Sequence, residues 1–175
     1  MPDQPLQWFR TEEREGRTYV FDPLRRRLVV LTPEEEVRQK ALYLLVEHLK
    51  VPAGLVAVEY SLKVNGMDKR ADAVVFGKNG QPLMIVECKA PSVTLTEVVL
   101  DQAVRYHSAF IPPFKGVPEG RGIQKETRPE GQGINTTSPQ YILITNGSCT
   151  YCFRAEGQAL CSMDHLPDFA EMQHI

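Results

Sequence analysis

The alternation of hydrophobic and polar positions divides the chain into a succession of elements. TYVF and LVVL flank DPLRRR, where Asp22-Pro23 supplies a turn, so residues 18–30 are expected to form a small hairpin. A helix is expected from Thr32 to Lys50. Thr32 can cap it, Pro33 suits its first position, and Glu35 completes a T-x-x-E capping box. Val37, Ala41, Leu44, Leu45 and His48 make one apolar stripe, widened by Leu42 and Leu49. Glu34 and Arg38 fall within its inward arc, Glu35 at the edge and Glu36 outside. A carboxylate on a packing face calls for a reason.

Three extended runs follow: LVAVEYSLKV (55–64), RADAVVFG (70–77) and LMIVECK (83–89). They are rich in β-branched residues and too short for helices. Asn79-Gly80 between the second and third reads as a two-residue type I′ hairpin loop. Thr94 to Phe110 is expected to be a second amphipathic helix, with Val98, Val99, Ala103, Tyr106 and Phe110 inward. Residues 111–139 are dense in Pro, Gly and mixed charge without periodicity, and read as an excursion loop. YILITN (141–146) and CTYCFRA (149–155) form a second hairpin around Asn146-Gly147. The expected fold class is α/β of the α+β kind. One domain spans 18–160, between an N-terminal extension (1–17) and a polar tail (161–175).

Composition narrows this only a little. The 175 residues suit one domain, and 42% hydrophobic with 24% charged residues is ordinary for a globular protein. The net charge of −2 gives no bulk argument for nucleic acid, so any such argument must come from local clusters. No run approaches a membrane span and the N-terminus has no apolar leader core, so a cytoplasmic location is expected. Four cysteines are too few for a disulfide scaffold. Cys149 and Cys152, with Cys161 and His165 beyond, superficially suggest zinc. Residues three apart on a strand point to opposite faces, however, so ordinary thiols are expected.

The Asn79-Gly80 loop also fixes register. If these two residues are the loop, Lys78 faces Gln81, and counting back along both strands sets Asp72 directly opposite Glu87 on one face. Like charges so placed are destabilising unless a cation lies between them. Alternation adds Lys89 to that face, and the same register pairs Lys89 with Arg70. A hard divalent ion fits, with Asp72, Glu87 and the Cys88 backbone carbonyl as oxygen ligands. Mg²⁺, for which Mn²⁺ could substitute, would polarise a phosphoryl oxygen. Lys89 would orient or deprotonate the attacking water, and Glu34 is a further candidate ligand or supporting group. The plainer alternative is a charged pair at a strand end. Against it, both acids interrupt strands that are otherwise apolar on both faces, where charge is expensive unless used.

Asp72 followed by Glu87-Cys88-Lys89 resembles the D…(D/E)xK signature of the PD-(D/E)xK nuclease superfamily. TPEEEVRQ (32–39), KRADAVVF (69–76), IVECKAPS (85–92), Gln102-x-x-x-Tyr106 and ILITNG (142–147) are similar to the N-terminal nuclease domain of type I restriction enzyme R subunits. The resemblance covers roughly residues 18–155 in order. It implies a restriction-endonuclease-like mixed central sheet flanked by helices, with an αβββαβ core behind the N-terminal hairpin. It also implies Asp72 and Glu87 as metal ligands, Lys89 as the catalytic lysine, and Gln102 and Tyr106 as DNA-contacting or site-orienting residues. The family's helix carboxylate falls on Glu34 or Glu35, and the capping role of Glu35 favours Glu34. Ala71 stands where the superfamily name has Pro, and these 175 residues are expected to hold the nuclease-like domain without a helicase motor.

The expected function is therefore a Mg²⁺-dependent endonuclease acting on DNA. The alternative is a non-catalytic DNA-binding or assembly module of a restriction-modification-like system. Expected partners are DNA and the helicase or specificity subunits of such a system. A homodimer would let a one-site domain cut both strands. Arg25, Arg26, Arg27, Arg38, Lys63, Lys69 and Arg70 are the candidate phosphate contacts.

Overall fold

The computed structural model describes residues 6–64, 67–96, 139–156 and 159–174. Strands β1 (Thr11–Arg14), β2 (Arg17–Asp22) and β3 (Arg27–Val30) make a three-stranded antiparallel sheet. The expected hairpin is β2–β3, with Tyr19 opposite Val30 and Asp22 opposite Arg27. β1 lies in the stretch expected to be an extension. It joins β2 through Glu15-Gly16, both at positive φ (50° and 71°), which is what a type I′ turn requires. Its TEER sequence is exposed throughout and carries no apolar alternation that would reveal a strand. The preceding segment is tied down by Trp8, whose indole nitrogen donates to Glu47 at 2.8 Å and whose ring meets Tyr43 edge-on.

Helix α1 (Pro33–Tyr43) begins as expected, with Glu35 N donating to the Thr32 hydroxyl at 3.1 Å. The capping box is only half formed. The Thr32 amide donates to the Val30 carbonyl instead, and the Glu35 side chain turns to Arg25, Arg38 and Gln39. Beyond Tyr43 the helix widens into a π turn over Leu44–His48, where the Leu49 amide reaches back to the Leu44 carbonyl. Val37, Ala41, Leu42 and Leu45 pack on the larger sheet, while Glu35 and Gln39 face the first. Contact with two sheets makes the buried arc wider than the apolar stripe. That is why Glu35, expected at its edge, is buried.

The larger sheet runs in chain order: β4 (Val56–Val64), β5 (Met67–Phe76), β6 (Pro82–Cys88), β7 (Tyr141–Thr145), β8 (Thr150–Glu156) and β9 (Ala159–Ser162). Its strands are antiparallel except β6–β7, where Ile85 faces Ile142 in parallel. β6 and β7 are apolar on both faces and buried along nearly their whole length, as central strands must be. Ala73, Val75 and Val86 pack toward α1, and Val74, Ile85, Ile142 and Ile144 pack on the other side. Two sheets with few helices agree with the expected α+β class. Of the expected helix from Thr94 to Phe110, residues 94–96 are not helical and the rest lies outside the described residues, as does the 111–139 loop apart from Pro139. Strand β9 and helix α2 (Phe169–Gln173) extend the fold past the expected domain end. α2 docks by its Phe169 amide on the Leu49 carbonyl at 2.7 Å, with Phe169 and Met172 buried.

The β5–β6 turn departs from expectation in an instructive way. Gly77 donates to the Gln81 carbonyl and Gly80 to the Gly77 carbonyl, and only Gly80 has positive φ (79°). This is a three-residue connection closed by a left-handed glycine, not a type I′ pair. Phe76 accordingly faces Pro82, one residue short of the expected register. A bulge then inserts Leu83, and Val75 faces Met84, Val74 faces Ile85 and Ala73 faces Val86. The expected register is restored before the strands reach the acidic residues.

The described cysteines are all free thiols: Cys88 and Cys152 buried, Cys149 and Cys161 exposed. Iodoacetamide should therefore alkylate Cys149 and Cys161 in the native protein and spare Cys88 and Cys152. Burial pushes the Cys152 thiol up to about 12, from near 9 when exposed. Between those values the unfolded chain binds fewer protons than the folded one, so stability falls as pH rises. This thiol should contribute a slope of about 1.4 kcal/mol per pH unit above pH 9. Urea unfolding at pH 8.5 and 10.5 checks this, and Cys152→Val should remove that contribution. Among the described residues, no helix is long and apolar enough to cross a membrane.

Candidate active site

The β5–β6 ladder ends at Ala73 and Val86. One residue further, the Asp72 carboxylate takes over from the backbone: its Oδ2 accepts from the Cys88 amide at 2.6 Å. A strand amide points along the sheet plane, so this carboxylate lies in the gap at the ladder's end. That differs from the expected position on one sheet face opposite Glu87. The cause is visible across the other edge of β5. Glu59 of β4, opposite Asp72 between the Val58–Ala73 and Tyr60–Ala71 pairs, has φ +55°. A non-glycine residue held there costs on the order of 1–3 kcal/mol, and such strain concentrates at functional sites. The turnover at this point also lets Ala71 and Ala73 pack into opposite cores.

Glu87 is buried, and its Oε1 accepts from Lys89 Nζ at 3.0 Å. Lys89 is half-buried, and its amide extends the β6–β7 pairing by donating to the Thr145 carbonyl at 2.9 Å. Between them the Cys88 thiol is raised well above its ordinary value. Burial is the main cause, Asp72 adds to it against a partial offset from Arg38, and Glu87 and Glu34 add further. Three carboxylates thus act on one point. Arg70 is exposed and turns to Glu59 at 3.6 Å, while Lys69 lies in β5 opposite Leu62. The ladder pairing of Arg70 with Lys89 does not form, because the ladder ends before them.

Behind Asp72 stands Arg38 of α1. Its Nε and Nη2 both donate to Asp72 Oδ1, at 3.0 and 2.5 Å, and its Nη1 donates to Glu35. Burial opposes the charge of Arg38, but Asp72 and Glu35 outweigh it and hold the guanidinium firmly protonated. With its side chain 11% exposed, Arg38 is turned inward on these carboxylates. Glu34 is the exposed carboxylate of the pair, 3.5 Å from Arg38 Nη2, and Glu35 the buried one. Glu35 is also held by Arg25, whose Nε meets Asp22 Oδ2 at 2.6 Å. Of the arginine triplet, then, Arg25 is a half-buried partner, while Arg26 and Arg27 are exposed. Glu59 accepts from Arg27 and lies 3.3 Å from Arg25. Burial works to raise its pKa, but Arg25 and Arg70 outweigh that and lower it.

Nothing in the sequence marked Asp22 or Glu59 as site neighbours, and it offered Arg25 as a phosphate contact and Glu35 as the alternative helix carboxylate rather than as partners of each other. One clue was present: Glu35 and Arg38, three apart on one helix, both had to be accommodated near its packing side. Gln102 and Tyr106 lie outside the described residues. No three described His, Cys, Asp or Glu side chains form a ready-made metal cage. Mg²⁺ asks for less, since one or two carboxylates suffice with water completing the shell.

These elements define an α+β domain with an ionic cluster running from helix to sheet, ending on an acidic pair and a lysine. The family model described as Type I restriction enzyme R protein N terminus (HSDR_N) matches residues 33–130, more than half of the chain. The chain belongs to that family, and is a nuclease-like domain of the restriction type. No curated protein and no solved structure matches it.

Proposed function

We propose that this domain cleaves DNA phosphodiester bonds as a Mg²⁺-dependent endonuclease, with Mn²⁺ able to substitute. The observation that carries the reading is the meeting of Asp72 and the Glu87–Lys89 pair around the Cys88 amide, at the end of a buried ladder, in a chain of this family. The donor set fits a hard cation: Asp72 and Glu87 offer carboxylate oxygens and the Cys88 carbonyl a third. Such a cation, when bound, supplies Lewis-acid polarisation of a phosphoryl oxygen. Lys89 orients the attacking water by its ammonium and offsets the charge that grows on the phosphate in the transition state. Glu34, half-exposed at the first turn of α1, is the further carboxylate of the site. Lys69 and Arg70 on β5, with Gln102 and Tyr106, contact DNA or orient the site. In this reading the fold is the restriction-endonuclease-like αβββαβ arrangement. The domain works in the cytoplasm with helicase and specificity subunits, or as two copies when both strands are cut.

The test is supercoiled-plasmid nicking by the full chain with Mg²⁺ or Mn²⁺, beside EDTA. Nicking that requires the divalent ion is expected. DNA binding without any nicking would instead support the assembly-module function.

A further inference from the structure

Asp22, Arg25, Glu35 and Arg38 form an unbroken ionic chain from the N-terminal sheet to Asp72. We propose that this chain is a positioning device: Asp22 and Arg25, which lie outside the segment that matches the family, set the place of the Asp72 carboxylate through Glu35 and Arg38. The proposal rests on the nuclease reading of Asp72.

Each link is held from behind. Asp22 is fully buried and accepts four N–H groups: the Leu24 and Arg25 amides at 2.8 Å, Arg25 Nε at 2.6 Å and Gln39 Nε2 at 2.8 Å. Arg25 therefore leaves a fixed turn and presents its Nη2 to Glu35. Gln39 bonds both Asp22 and Glu35 through one nitrogen, which leaves its buried Oε1 without a partner. The reverse amide orientation would set oxygen against two carboxylates, so the unmatched acceptor is the lesser cost. Arg38 then divides its fork, Nη1 on Glu35 and Nε with Nη2 on Asp72 Oδ1, which leaves Oδ2 for the Cys88 amide.

As a source of stability this arrangement is poor, because desolvating so many charges consumes most of what their attraction returns. What it supplies is geometry. A carboxylate held at both oxygens cannot rotate, and productive sites demand placement within about 0.5 Å. Lysine cannot replace Arg38, since it has no planar fork to hold Glu35 and Asp72 together.

The Cys88 amide reports where Asp72 is, since a 2.6 Å bond to a carboxylate shifts its proton strongly downfield. Arg38→Lys keeps the charge and removes the fork; Arg25→Gln breaks the chain at its far end, with Arg25→Lys in its place should that variant unfold. Each full-length variant is compared with wild type by the Cys88 amide resonance, single-turnover cleavage and the salt dependence of DNA binding. In both, the amide should move upfield and cleavage slow on the order of 10²-fold, with DNA affinity and salt slope unchanged. An unmoved amide overturns the proposal. So does a salt slope reduced by about one with cleavage intact, which would make the arginine a phosphate contact. A wild-type protein that does not cleave overturns the nuclease reading, and the amide shift then still decides whether the chain holds Asp72.

Discussion

Lys89→Ala should nick supercoiled plasmid on the order of 10²–10³-fold more slowly than wild type, the range for losing a group that stabilises charge developing in the transition state. Its fold should be almost untouched. The Lys89 backbone is held by the Thr145 carbonyl whatever the side chain, and the ammonium is partly exposed, so its pair with Glu87 is worth on the order of 1 kcal/mol or less. DNA affinity should change far less than rate, because the side chain leans on Glu87 and makes one charge among several at that end of the sheet. Parallel plasmid nicking, filter binding and thermal melting separate these effects. Full activity in Lys89→Ala would mean that the cleavage comes from a contaminant or from another site.

Asp22→Ala should produce the largest loss of stability, about 3–5 kcal/mol, the usual result of stripping one partner from a buried ion pair. Asp22 is 0% exposed, and its removal takes a partner from Arg25, Gln39 and two turn amides at once. For a chain of this size the melting midpoint should drop on the order of 10 °C. Asp22→Asn, which keeps one carboxylate-like oxygen as acceptor, should lose markedly less. Equal losses in the two variants would show that the pairing with Arg25 is not what Asp22 contributes.

Register drew attention to Asp72 and Glu87 in the sequence, but the geometry it gave them differs from the real one: the ladder ends at Ala73 and Val86, and the Asp72 carboxylate sits on the Cys88 amide instead of facing Glu87. The turn is one residue longer than Asn-Gly suggests, and the Leu83 bulge compensates by one residue. Local pattern cannot show such a bulge, because β6 is apolar on both faces and a slipped residue leaves no mismatch. Helix α1 announced itself by periodicity and its cap, β2–β3 by its turn, and the central strands by short β-branched runs. β1 and β9 did not, being short, mostly exposed edge strands stabilised by backbone pairing. The choice between Glu34 and Glu35 depended on a second sheet lying against α1. With Arg25 held there, Glu35 is drawn inward and Glu34 left at the open end. Long-range ion pairs such as Arg38 with Asp72 have no local signature at all.

The single parallel seam has a consequence for how the chain reaches this state. Glu87 and Ile144 face each other across β6–β7 although more than fifty residues separate them. Closing a loop of that length costs about 3.6 kcal/mol in its length-dependent part, against about 1 kcal/mol for the β5–β6 turn. The β4–β5 and β5–β6 hairpins are short-range by comparison and can assemble first. Until β7 arrives, the Leu83–Val86 edge of β6 is an apolar strand with unpaired backbone, able to recruit another chain. The strand that carries Glu87 is thus also the point at which a slow-folding or truncated chain would begin to aggregate.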